Sequence, residues 1–438
     1  KKIIEIERPG NNTVKFLFAD GSDRELPLLI GGFLPILSKT YWQGRDFTKT
    51  TLEPPLGSGP YVVEHIDPGR RIVYRRNLNY WGKEIPVNIG HYNFDLISYD
   101  YYRDSNIALE AFKAGDFDQR YEFDANRWAT GYDFPAAQDG RVILEEFDHG
   151  IPSGLRAFAF NLRRPMFQDR RIRRALATVF DFEWINKTLL QGAYERTRSM
   201  FDNSNMAPVG EPTGAELALL DPWRQQLPSE VFGEPYQPPT TDASGNNRTN
   251  LRQAMVLLNE AGWQIREGKL VSAVGQPFEF EILLRSSSNE KLALAYKNSL
   301  SRLGIEVAVR LVDSSQYQAR MEQYDFDMAY RRWGVSLSPG NEQQNYWSSI
   351  AAASPGSRNA VGVSNPAVDA IIDALVGAYS RTDLVDAARA IDRILMWEQY
   401  VVPLYHRSGF RVAYWNTLAH PKLNSTYGPV IETWWTNK

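Results

Sequence analysis

Hydrophobic positions between residues 278 and 311 follow two periods in turn. Residues 278–284, with Phe278, Phe280, Ile282, Leu283 and Leu284 as their apolar positions, read as a strand. Leu292, Tyr296, Leu300 and Leu303 then recur at helical spacing, and Gly304 ends the pattern. Ile305, Val307, Val309 and Leu311 alternate as a second strand. A strand, a helix and a strand in this order predict a β-α-β unit with parallel strands and a right-handed crossover. Further strands are predicted at 3–6, 14–18, 94–98, 142–147, 157–160 and 401–406. Helices are predicted at 105–114 with Gly115 as its stop, at 169–190, at 251–261, from Asn365-Pro366 onward, and at 383–399. Residues 202–250, rich in Pro, Gly, Asn and Asp, read mostly as loop, and the aromatic tail after 406 reads as irregular.

The stretch 57–82, GSGPYVVEHIDPGRRIVYRRNLNYWG, contains a hairpin: Tyr61-Val62-Val63, a turn at Pro68-Gly69, and the returning strand Ile72-Val73-Tyr74. At 438 residues the chain is too long for one simple core, so two lobes are expected. Hydrophobic residues make up 43% and charged residues 23%, as in ordinary globular proteins. A net charge of −3 offers no attraction toward nucleic acid or an anionic membrane. The chain has no cysteine, which removes disulfides, thiolate metal sites and a cysteine nucleophile. No apolar run approaches the ~20 residues of a membrane span. No secretory signal is visible either, so an exported form has already lost it. Aromatic residues reach 13%, enough for large cores or for a cleft lined with flat side chains.

Reactive constellations are absent from the pattern. His65, His91, His149, His406 and His420 are scattered without metal-binding spacing, and no Gly-x-Ser-x-Gly elbow occurs. Gly57-Ser58-Gly59 lacks the Gly-Lys-Ser end of a phosphate loop and precedes a strand. Glu145 and Glu146 are adjacent on a strand and point to opposite faces, a poor acid/base pair. The reading is therefore not an enzyme, with no cofactor and no metal.

Four segments in order resemble the periplasmic peptide-binding proteins of ABC importers, solute-binding family 5. They are the 57–82 stretch; Phe158-Ala159-Phe160-Asn161 with Pro165-Met166-Phe167 and 169–176; Leu303-Gly304-Ile305 followed by Asp313; and Tyr324-Asp325-Phe326-Asp327-Met328. Phe94-Asp95, Tyr99-Asp100-Tyr101-Tyr102, Asp181-Phe182-Glu183-Trp184 and Thr433-Trp434-Trp435 narrow the resemblance to the Yej-type subgroup, which takes up peptides and peptide-conjugated antibiotics such as microcin C. The resemblance implies an α/β, two-lobed periplasmic-binding-protein-like fold of the class II, peptide-binding type, with mixed sheets. It places 1–155 as the C-terminal part of lobe I, 156–403 as lobe II and 404–438 as a return to lobe I. The first lobe is expected to be incomplete, its N-terminal segment absent or present as a separate piece. The segments 155–160 and 401–406 are expected to cross between lobes.

By the same resemblance the protein is expected to be a periplasmic monomer that closes on a peptide and hands it to an inner-membrane permease. Arg331, Arg332 and Trp333 follow the Asp327-Met328 strand, where an arginine fork can grip a carboxylate and a tryptophan can stack; Ser336 lies in the next loop. No carboxylate stands there to meet a peptide ammonium, so the amine anchor is expected elsewhere. Asp100, Tyr101, Tyr102 and Asp104 are candidates for the ammonium and the peptide backbone, although Asp104 or Ser105 can equally cap the next helix. Asn161 and Trp434 complete the set, and Glu122 and Asp124 can either hold a cation or sit in salt bridges. An oligosaccharide receptor is the rival among binding proteins, and a glycoside hydrolase or peptidase the rival among enzymes.

Overall fold

In a computed structural model, which describes residues 2–19, 24–49, 51–423 and 425–437, the chain divides into two compact units. The larger comprises Lys1–Phe33 and Ile151–Arg407, and the smaller Leu34–Gly150 and Ser408–Lys438. The N-terminal hairpin, Ile3–Gly10 with Thr13–Phe18, thus falls with the larger unit, whereas the sequence places it with the segment up to 155.

The larger unit is organised by five strands: β1 (Leu155–Phe160), β2 (Glu279–Leu284), β3 (Glu306–Leu311), β4 (Met328–Trp333) and β5 (Val401–Pro403). Their order across the sheet is β3-β2-β4-β1-β5. The predicted β-α-β unit is present: β2 and β3 pair in parallel from Glu279↔Glu306 to Leu284↔Leu311, joined by the helix Glu290–Ser301. β4 runs parallel to β2 and antiparallel to β1, so the sheet is mixed. Both faces are covered, which explains the nearly unbroken apolar reading of β1. Leu155, Ala157, Ala159, Ala329 and Trp333 enter one core, with the helices Pro366–Val376 and Arg381–Trp397. Phe158, Phe160, Ile282 and Met328 enter the other, with Arg170–Thr178, Phe182–Leu189, Arg248–Glu260 and Glu290–Ser301. Helix Arg381–Trp397 starts in a capping box of Ser380 and Asp383, and each Leu or Ile it buries contributes about 1.5–3 kcal/mol.

Several elements differ from the expected ones. The helix expected over 169–190 is two helices, broken at Val179–Asp181 because Asp181 accepts a hydrogen bond from Trp184 N and starts the second. The loop-rich 202–250 stretch holds the helix Gly214–Leu220. The run 401–406 splits into β5, which pairs with β1, and Tyr405–His406, which pairs with Glu195–Arg196. Both β1 and β5 lie inside the larger unit's sheet; the chain changes unit at Phe33–Leu34, at Gly150–Ile151 and at Arg407–Ser408 instead.

The smaller unit contains two three-stranded antiparallel sheets. One is the predicted hairpin Tyr61–Asp67/Arg71–Arg76, extended by Leu96–Asp100. In the other, Gly409–Trp415 from the tail is the central strand between Gln119–Tyr121 and Val142–Asp148. The tail is therefore a structural strand and not the irregular segment expected.

Candidate functional site

The antiparallel register of β1 and β4 sets Arg332 opposite Arg156, Tyr330 opposite Phe158 and Met328 opposite Phe160. Directly opposed residues have Cβ atoms about 4.5–5.5 Å apart and share a face of the sheet. Arg156 and Arg332 thus stand side by side at the open end of the face that carries Phe158 and Tyr330. Neither guanidinium has an acceptor among the described residues. Burial first, and then the positive charge of Arg156, lower the pKa of Arg332. Burial raises the pKa of the Tyr330 hydroxyl, and the two arginines pull it back down, so the phenol sits within their field. Two unspent guanidinium groups beside one phenol have the chemistry to take a planar anion such as a carboxylate.

Arg331 belongs to the other face, opposite Ala157, and its enclosed Nε has no partner among the described residues. Consecutive strand residues point to opposite sides. Arg331 and Arg332 therefore cannot face one ligand together as expected; Arg332 stands beside Arg156 instead. Sequence reasoning missed Arg156, because only the strand register brings it to Arg332. Trp333 is 1% exposed and stacks on Trp347 at 4.8 Å, so it is a core residue and not an open stacking wall. The start of β1 approaches it so closely that a Cβ at Gly154 (φ +68°) would lie 2.6 Å from the Trp333 carbonyl oxygen. Exposed Ser336 accepts a hydrogen bond from Ser338 N at 3.1 Å and shapes the following turn.

Asn161 is fully buried. Its Nδ2 donates to the carbonyls of Tyr324 (3.0 Å) and Phe326 (2.7 Å), and its Oδ1 accepts from Arg163 N (3.2 Å). It therefore fixes the backbone that leads into β4.

The remaining candidates lie in the smaller unit. Asp100 receives Arg71 in a bidentate pair (2.6 and 2.7 Å) and the Ser98 hydroxyl (2.8 Å). The Arg71 hydrogen bonds hold its carboxyl below the usual range. Asp104 accepts from Asn106 N and Ile107 N at 2.8 and 3.1 Å, the capping alternative weighed in the sequence. Tyr101 is exposed, whereas Tyr102 packs on Phe117 at 5.8 Å. Trp434 is buried between His420 (4.8 Å) and Tyr414 (5.0 Å). Glu122, also buried, pairs with Arg120 (2.9 Å) and Arg127 (3.2 Å), and Asp124 caps the helix Ala125–Thr130.

Among the described residues no group of three or more His, Asp or Glu is arranged to hold a metal ion. No helix among them is long and apolar enough to cross a membrane.

A protein of Brucella melitensis is 45% identical over 435 residues, covering 99% of this chain and 71% of its own length. The probable peptide-binding protein YejA of Agrobacterium fabrum is 40% identical over 447 residues, covering 100% of this chain and 73% of that protein. The oligopeptide-binding protein AppA from Bacillus subtilis, solved with a nonapeptide, shares the fold. Its TM-score is 0.70 at 20% identity, over 100% of this chain and 79% of that one. The sequence profile of the bacterial extracellular solute-binding proteins, family 5 Middle, matches residues 1–354. The chain belongs to this family of extracytoplasmic solute receptors, which bind their solutes and do not catalyse reactions on them.

Proposed function

We propose that this chain is a peptide receptor of an ABC importer, working in the periplasm and delivering its ligand to a membrane permease. The observation that carries the reading is the Arg156/Arg332 pair: two adjacent guanidinium groups with no acceptor among the described residues, flanked by the Tyr330 hydroxyl. Such a pair fits the carboxylate of a peptide and has no use for a neutral glycan. The 40% identity to a probable peptide-binding protein supports the same ligand class. The Yej-type resemblance extends it to peptide-conjugated antibiotics such as microcin C.

Native mass spectrometry of the purified protein, followed by calorimetry with tetraalanine and tetraalanine amide, tests the proposal. Co-purified short peptides, and an amide that binds about tenfold or more weakly than the free acid, are the expected results. Equal affinity for both would remove the carboxylate role of the arginines. Bound sugars in place of peptides would remove the ligand class.

A further inference from the structure

Two of the places where the chain changes unit, Gly150–Ile151 and Arg407–Ser408, adjoin one loop of the larger unit, residues 198–203. On the first connection, Ser153 N donates to the Asp202 carbonyl at 2.8 Å, and Asn203 Nδ2 donates to the Ile151 carbonyl at 3.0 Å. On the second, Asp202 Oδ2 lies 3.6 Å from Nδ1 of His406, the residue before Arg407. The Thr197 hydroxyl reaches the same ring nitrogen at 3.2 Å, and the strand Tyr405–His406 pairs with Glu195–Arg196 just ahead of the loop.

The loop itself hangs on two carboxyl groups. Asp202 Oδ2 accepts from Arg198 N (2.8 Å) and Ser199 N (3.1 Å). Asp392, from the helix Arg381–Trp397, accepts from Met200 N (2.8 Å). Three successive amides thus divide between two carboxyls, which makes those carboxyls neighbours. Asp202, Asp392 and His406 are all buried. The arginines of the same helix are spent elsewhere: Arg393 on Glu216 and the carbonyls of Gly210 and Gly233, and Arg389 on the carbonyl of Asn205. Among the described residues no guanidinium pairs with Asp202 or Asp392.

Two enclosed carboxylates without a bonded cation ionise together only at high cost, so one of them keeps a proton. Burial first raises Asp392, to about 8, and the charge of Asp202 adds to it against the pull of the Met200 amide, the Ser199 hydroxyl and Arg393. Burial likewise lowers His406, where Asp202 and Glu195 favour the charged ring and Arg198 and Arg156 oppose it. A group raised in the folded state supports the fold while it holds its proton, and that support is lost as pH rises through about 8. The two charges then repel each other across the amides that they bind.

We propose that Asp202 and Asp392 form a proton-operated latch: holding one proton between them, they keep loop 198–203 on both connections, and on losing it they free the two connections together. The latch acts on the connections alone, so it stands whether or not the ligand is a peptide.

Pulsed hydrogen exchange at about pH 7 and about pH 9.5, read by mass spectrometry and corrected with the rates of the unfolded chain, tests the latch in the wild type and in Asp392→Asn. The variant keeps an acceptor for Met200 N and cannot ionise. Expected in the wild type, at the higher pH, is a loss of protection of about tenfold or more in 151–156 and 197–203 together, with the helix Glu290–Ser301 unchanged. The variant should show no such loss. Unchanged protection in the wild type, a loss in one of the two segments without the other, an equal loss in Glu290–Ser301, or the same loss in the variant each overturns the latch. Should Asp392→Asn fail to fold, the first three outcomes still decide in the wild type. Asp202→Asn, which leaves a single charge, then replaces it: a smaller loss supports the latch and an undiminished loss overturns it.

Discussion

Arg156 and Arg332 face each other across two adjacent strands with no carboxylate between them. Opposed like charges destabilise a sheet by roughly 0.2–1 kcal/mol, more where burial weakens screening. A shared anion reverses that sign. Arg332→Met should therefore raise the melting temperature of the ligand-free protein. It should also abolish the stabilisation that millimolar sulfate gives the wild type at constant ionic strength. Melting curves that respond equally to sulfate in both proteins would show that the pair is not an anion site.

Asn161 should prove structural. Its amide satisfies two buried carbonyls, and truncation leaves both without partners in a fully buried place. Asn161→Ala should cost about 2–4 kcal/mol in urea unfolding. The affinity of the surviving folded protein for peptide should change less than twofold. A large affinity loss at unchanged stability would return Asn161 to the ligand.

Much of the larger unit is legible along the chain, because its signals are local. The β2-helix-β3 unit shows both periods and a glycine stop within a single stretch. The pairing of Arg332 with Arg156 is not local, since it depends on strand register, and adjacency in sequence pointed to Arg331 instead. The break at Val179–Asp181 was readable in principle, because Asp181 is a capping residue, but the apolar periodicity on either side hides it. The strand Gly409–Trp415 alternates weakly, and its role appears only when two distant strands pair with it.

Asp392 makes a prediction about pH. It is enclosed, accepts a hydrogen bond from Met200 N at 2.8 Å, and burial pushes its carboxyl up to about 8. In the unfolded chain an aspartate titrates near 4. Between about pH 4 and 8 the folded state therefore holds a proton that the unfolded state does not, and stability falls as pH rises through that window. Asp392→Asn keeps the acceptor and removes the charge. It should stabilise the protein by on the order of 5 kcal/mol at pH 8 and by less than about 1 kcal/mol at pH 4. Urea titrations at the two pH values measure this, and an equal effect at both would place the Asp392 proton elsewhere. His406, whose pKa burial lowers, contributes in the opposite sense: its share of stability is lost as pH falls through the usual histidine range.

Asp104 separates a cap from an anchor. Its Oδ1 takes two amide protons of the helix Ser105–Ala114. The two roles respond differently to two substitutions. Asp104→Ala removes both the acceptor and the charge and should cost about 1 kcal/mol of stability. Asp104→Asn keeps the acceptor, since asparagine caps as well as aspartate does, and removes the charge alone. If Asp104 is only a cap, the Asn variant should match the wild type in both urea midpoint and tetraalanine affinity, while the Ala variant loses stability and keeps affinity. An Asn variant that folds normally but binds tetraalanine tenfold less well, with N-acetyl-tetraalanine unaffected, would make Asp104 the amine anchor.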